Sequence, residues 1–84
     1  MGDEDIRTFL AIAKHGNAAE AARSVGLSES TFVVRVEALC AGRGSRLLER
    51  TSSGYALTDV GKSTLAHFEW IKEEVLAAER PLSG

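Results

Sequence analysis

Two breaks ten residues apart divide the first half of this 84-residue chain: Gly16-Asn17 and Gly26-Leu27-Ser28. Glycine suits the left-handed conformation that ends helices, while Asn and Ser are favoured N-caps, so each break reads as the stop of one helix and the start of the next. Before the first break, residues 3–15 place Ile6, Phe9, Leu10 and Ala13 at steps of three and four, the period of an amphipathic helix. Asp3, Glu4 and Asp5 at its start and Lys14 and His15 at its end complement the helix dipole. Between the breaks, "AAEAARSV" reads as a short helix rich in the strongest helix former. After the second, Ser28 caps a third helix, 28–41, in which Thr31, Phe32, Val36 and Leu39 recur before the two glycines of "AGRGS" end it.

The period then changes. "RLLER" and "YALT" flank "TSSG", a turn-forming cluster, and suggest a hairpin of two short strands that must lie against the helices to be stable. Thr58 and Asp59 open a last helix expected to run to about Glu79, with Pro81 just beyond its end and Leu65, Phe68, Ile71, Val75 and Ala78 in a stripe from which Trp70 departs. Two helices joined by a glycine-containing turn, the second capped by Ser, form the helix-turn-helix pattern, in which the first residues of the second helix meet base edges in the major groove. A hairpin directly downstream extends it to a winged helix. The expected fold class is therefore mainly α: a winged helix-turn-helix of three helices and a two-stranded β-wing, with a long C-terminal linker or dimerisation helix. The expected divisions are 1–58 for the DNA-binding domain, 59–80 for the linker helix and 81–84 for a hinge or tail.

Length allows one small core. No apolar run approaches the roughly 20 residues that span a bilayer, and the acidic start "MGDED" is unlike a secretory signal, so a cytoplasmic location is expected. Cys40 is alone; an internal disulfide is excluded, and a small buried side chain is its expected role. The net charge of −2 argues against a strongly basic nucleic-acid binder, but the charge is unevenly placed. Residues 14–62 carry seven basic against five acidic side chains, whereas the two ends carry three against seven, which permits a DNA footprint in the middle. His15, His67 and Cys40 lack metal-ligand or catalytic spacing, so neither an enzyme nor a metal or other cofactor is expected.

Three stretches carry a more specific likeness: "IRTFLAIAKHGN" at 6–17, "AAEAARSVGLSES" at 18–30 and "RLLERTSSGYALTDVGK" at 46–62. In register and without a gap, they resemble the N-terminal DNA-binding domain of LysR-type transcriptional regulators, bacterial proteins that join this domain to a larger effector-binding one. The resemblance implies sequence-specific binding to double-stranded DNA, at an inverted repeat, by a homodimer. The third helix would lie in the major groove and the wing, 46–57, on the adjacent backbone or minor groove. It also implies that Leu65, Phe68, Ile71 and Val75 supply a dimer seam. The ending "AERPLSG" is similar to the hinge before the effector domain, so the chain is expected either to be truncated there or to be a natural one-domain relative, and any small-molecule effector would belong to a further domain.

Carried over position by position, Ser28, Ser30 and Thr31 keep the family's cap and first-turn contacts, with hydroxyls that can donate to phosphate oxygens. Glu29 stands where glutamine is usual and can only accept, for instance from cytosine N4. Val33 and Val34 replace serine and then arginine or another polar residue. With Phe32 they make three consecutive apolar residues, which a helix cannot turn to the core together, so at least one is expected outside, available to a thymine methyl or a partner. Arg35 is the third helix's basic side chain, either bidentate to guanine or a solvated backbone contact. In the wing, Ser53 replaces a common arginine, leaving Arg50, Thr51, Ser52 and Ser53 with hydroxyls and one charge. Cys40 and Ala41 replace acidic residues, and Arg43 falls where leucine is common. These departures keep an alternative open, a winged-helix module that binds protein and has lost strong DNA binding.

Overall fold

The structure is a computed structural model that describes residues 2–42 and 46–83. In chain order it contains α1 (Asp3–His15), α2 (Ala18–Ser24), α3 (Glu29–Ala41), β1 (Leu48–Thr51), β2 (Gly54–Leu57) and α4 (Asp59–Ser83). Both sequence breaks are helix stops of the expected kind: Gly16 and Gly26 have φ of 80° and 73°, a conformation that side chains with a Cβ rarely adopt. Asn17 accepts from the Glu20 amide at 2.9 Å and Ser28 from the Thr31 amide at 3.2 Å, each satisfying an N-terminal donor that has no partner within its helix. Arg43 and the rest of 43–45 lie outside the described residues.

The core lies where α1, α2 and α3 meet. Phe9, Ile12, Phe32 and Val36 are its largest fully enclosed side chains, joined by Ala21, Ala22, Leu39, Leu47 and Leu48. On α1 the buried face is turned from the expected stripe: Thr8, Phe9, Ala11 and Ile12 are buried, while Ile6, Leu10 and Ala13 are half-buried. The turn is possible because Thr8 has already satisfied its hydroxyl by donating to the Glu4 carbonyl at 2.9 Å, so a polar residue enters the core without an unpaired group.

The wing is a single antiparallel pair with Leu48 opposite Leu57, Glu49 opposite Ala56, Arg50 opposite Tyr55 and Thr51 opposite Gly54. Pairing of Thr51 with Gly54 shortens the expected four-residue turn to Ser52-Ser53 and draws Gly54 into β2. Leu47 and Leu48 are buried, and Tyr55 and Leu57 pack against the core, so the hairpin rests on the helices as two marginal strands must.

A close collar joins the wing to α4. The Thr58 amide donates to the Leu47 carbonyl at 3.0 Å, its hydroxyl donates to the Arg46 carbonyl, and the same hydroxyl accepts from the Gly61 amide at 3.0 Å. Gly61 is buried here, and a methyl group in place of its hydrogen would overlap the Leu47 carbonyl oxygen. Beyond the collar α4 continues to Ser83, past the expected end near Glu79. No helix among the described residues is long and apolar enough to cross a membrane.

Candidate nucleic-acid interface

The placement of α3 follows from which of its side chains the core claims. Phe32, Val36 and Leu39 point inward and are at most 3% exposed, which fixes the rotation of the helix and sends Glu29, Ser30, Thr31, Val34, Ala38 and Ala41 outward. Of the three consecutive apolar residues, Phe32 is fully buried, Val33 half-buried and Val34 67% exposed. At the start of the helix the Ser28 hydroxyl donates to the Thr31 hydroxyl at 2.9 Å and lies 3.4 Å from that of Ser30. The three hydroxyls form one exposed polar cluster at the N-terminal end of α3.

Both charged side chains near the middle of α3 are held aside. Arg35 forms an ion pair with Glu4 of α1, and Glu37 forms one with Arg50 of β1. Glu37 also accepts from the Tyr55 hydroxyl at 3.1 Å, so a single carboxylate ties α3 to both strands of the wing. Arg35 is thus turned toward α1, and Arg50 keeps a side chain that is 65% exposed despite its partner. Pairs this open to water contribute about 0–1 kcal/mol each, little enough for a phosphate to compete for the arginine.

On the wing, Arg50, Thr51, Ser52 and Ser53 are all exposed, and the hydroxyls of Thr51 and Ser53 lie 3.4 Å apart across the turn. Arg46, at the root of the wing, and Lys62, on the first turns of α4, are exposed and make no ion pair among the described residues. Cys40 is half-buried, and burial pushes its thiol above the usual range, which disfavours the reactive thiolate. No group of three His, Cys, Asp or Glu side chains among the described residues could hold a metal ion.

The stripe on α4 divides into two parts. Leu65 and Phe68 pack against the domain's own core, the Phe68 ring 6.4 Å from that of Phe9, whereas Ile71 and Val75 are 41% and 52% exposed. Trp70 departs from the stripe as expected and stacks on His67 at 6.2 Å. Leu76, absent from the expected seam, is 49% exposed beside Val75.

Residues 4–62, from the second residue of α1 to the collar of α4, match the family described as bacterial regulatory helix-turn-helix protein, lysR family. The chain belongs to this family. Among its relatives, a 62-residue stretch is 40% identical to an SDS degradation transcriptional activation protein of Pseudomonas sp. (strain ATCC 19151), covering 74% of this chain and 20% of that protein. A probable hydrogen peroxide-inducible genes activator of Mycobacterium avium is 35% identical over 79 residues, 94% of this chain and 25% of that one. The chain therefore spans about a fifth to a quarter of the length of these relatives. Its fold matches the crystal structure of a CbnR_DBD–DNA complex at a TM-score of 0.70 and 31% identity, covering 99% of this chain and 97% of that one. It also matches CbnR, a LysR family transcriptional regulator, at a TM-score of 0.70 and 30% identity, over 29% of that larger chain.

Within this lysR-family domain, two features of the site were not visible in its sequence pattern. Glu4 and Glu37 engage the very arginines singled out as DNA contacts, and no local spacing connects position 4 with 35 or 37 with 50. Arg46, exposed at the start of the wing, is not among the expected contact residues.

Proposed function

We infer that this chain is a sequence-specific DNA-binding domain of a bacterial transcriptional regulator, with α3 in the major groove and the wing on the adjacent backbone or minor groove. The observation that carries this reading is the rotation of α3: Phe32, Val36 and Leu39 are committed to the core, so the outward face beginning at Ser28, Ser30 and Thr31 is free to enter a groove in a lysR-family fold. Glu29 sits at the edge of that face as an acceptor for cytosine N4, and Val34 at its centre. Arg35 and Arg50 exchange their carboxylate partners for phosphates, and Thr51, Ser52 and Ser53 donate hydroxyl hydrogen bonds from the wing. Support for DNA as the partner comes from the similar CbnR_DBD fold, solved in complex with DNA. The protein-module alternative has no comparable support among the relatives.

Two such domains pair through the distal part of α4, where Ile71 and Val75, with Leu76, leave apolar surface exposed. Leu65 and Phe68 serve the seam from below by fixing α4 to its own domain. A two-fold pair of this kind reads an inverted repeat. The reading is non-catalytic and cytoplasmic, and any effector binds elsewhere in a longer protein of the relatives' size.

Fluorescence anisotropy with a random duplex pool, titrated from low to physiological salt and followed by sequencing of the retained fraction, tests this function. Salt-sensitive binding that enriches an inverted repeat is expected. Arg35→Ala and Arg50→Ala should each weaken binding with the fold intact, and unchanged affinity in both would refute the assigned DNA face.

A further inference from the structure

The exposed face of α3 has a composition that constrains what it can recognise. At about 100° per residue, Ser30, Thr31, Val34, Ala38 and Ala41 all project within roughly 100° of one another. This face lies between Arg35, drawn to α1 by Glu4, and Glu37, drawn to the wing by Arg50 and Tyr55. Its middle and far end therefore present only methyl groups: those of Val34, Ala38 and Ala41, with the Thr31 methyl at the near end. The only polar atoms on it are the hydroxyls of Ser30 and Thr31, and both already lie near the Ser28 hydroxyl.

Such a surface cannot form the two-pronged hydrogen bonds by which Arg selects guanine or Asn and Gln select adenine. It can, however, approach closely, because its side chains are small. It also offers an apolar contact that the major groove supplies in only one form in unmodified DNA, the C5-methyl group of thymine. Val34 is the largest of these side chains and 67% exposed.

The geometry points to Val34 as a specificity-determining residue that reads a pyrimidine C5-methyl group, thymine in ordinary DNA, with Ala38 and the Thr31 methyl completing the apolar contact. This assignment rests on the DNA-binding reading above and adds the base class that α3 selects. It leaves base pairs opposite the middle of α3 discriminated by methyl contact and not by hydrogen bonding.

The test replaces thymines of the enriched duplex one at a time with deoxyuridine, which removes the methyl group and leaves the base-pairing edge unchanged. The chain is expected to lose about fourfold in affinity at one or two thymines of each half-site, the worth of burying one methyl-sized group. Val34→Ala, a change at an exposed position that the fold tolerates, should bind the thymine duplex more weakly and lose most of its sensitivity to uracil at that position. Equal binding of every uracil-substituted duplex by the unaltered chain would overturn the proposal, as would full uracil sensitivity in Val34→Ala. A parallel set with 5-methylcytosine at the same positions distinguishes the methyl's source. Binding that requires the methylated cytosine and disregards thymine would overturn the thymine assignment. Failure to bind any duplex at low salt would instead refute the DNA-binding reading itself, so the two failures are separable.

Discussion

Replacing Gly61 with alanine separates what helix propensity predicts from what packing predicts, because the two differ in sign. At an exposed site inside a helix, alanine in place of glycine stabilises by about 1 kcal/mol. Gly61 is buried, however, and its added methyl would overlap the Leu47 carbonyl oxygen and lie 3.0 Å from the Leu47 carbonyl carbon. Both obstacles are backbone, which cannot swing aside as a side chain could. Relief requires α4 to move away from the root of the wing, and overpacking of this kind costs about 1–3 kcal/mol. The movement also stretches the hydrogen bond from the Thr58 amide to Leu47, now 3.0 Å, worth about 0.5–1.5 kcal/mol. After subtraction of the propensity gain, a net loss of about 0.5–3.5 kcal/mol remains. For a domain of this size that corresponds to a fall in Tm of very roughly 2–28 °C. Thermal unfolding followed by circular dichroism measures it, with Ser63→Ala, at an exposed position on the same helix, as a control expected to be neutral or slightly stabilising. A Gly61→Ala variant that melts at or above the unaltered chain would refute the close packing of α4 on Leu47.

The remaining predictions address the site and its surroundings. Glu4→Gln releases Arg35 from its partner and should tighten binding to a random duplex at low salt by about 1.5- to 5-fold, the equivalent of one exposed ion pair; no change by anisotropy would mean that Arg35 stays turned away from DNA. Val75→Asp should yield monomers in sedimentation velocity with an unchanged helical content by circular dichroism, since Val75 is 52% exposed on its own domain, and a persistent dimer would move the seam elsewhere. Phe68→Asp should lower the Tm as well, because its ring packs on Phe9. Cys40, with its thiol raised by burial, should react with iodoacetamide more slowly than a free cysteine at pH 8. Its rate should climb only at higher pH or on unfolding; full reactivity at pH 8 would place it in an exposed setting.

The order of elements was legible because each boundary is written locally. Gly16 with Asn17, and Gly26 with Ser28, encode a stop and a cap within three residues, and the structure uses each for that purpose. The three apolar residues Phe32, Val33 and Val34 could be sorted in outline by helical period alone, which requires at least one to face out. The rotation of α1 was less legible, since period marks a stripe but not which neighbour will claim it. Thr8 entered the core by satisfying its hydroxyl on its own helix, an option that a hydrophobicity pattern does not record. Least legible were the ion pairs of Glu4 and Glu37, which join residues far apart in the chain and depend on how α1, α3 and the wing are set against one another. The division of the α4 stripe has the same origin: Leu65 and Phe68 look like Ile71 and Val75 in sequence, and only the extent of the core below decides where cover ends.

The collar at Leu47, Thr58 and Gly61 gives α4 the mechanics of a lever with a short, fixed root. From Gly61 to Ser83 the helix extends about 33 Å at 1.5 Å per residue. A tilt of about five degrees at the root would carry its far end through roughly 3 Å, close to the spacing of one base-pair step along the duplex. Two such levers joined near their ends would convert a small change of angle at Gly61 into a change in the distance between two reading helices. The spacing of half-sites that a pair prefers would then be set less by the α3 residues that touch bases than by a buried hydrogen-bonded turn that touches none.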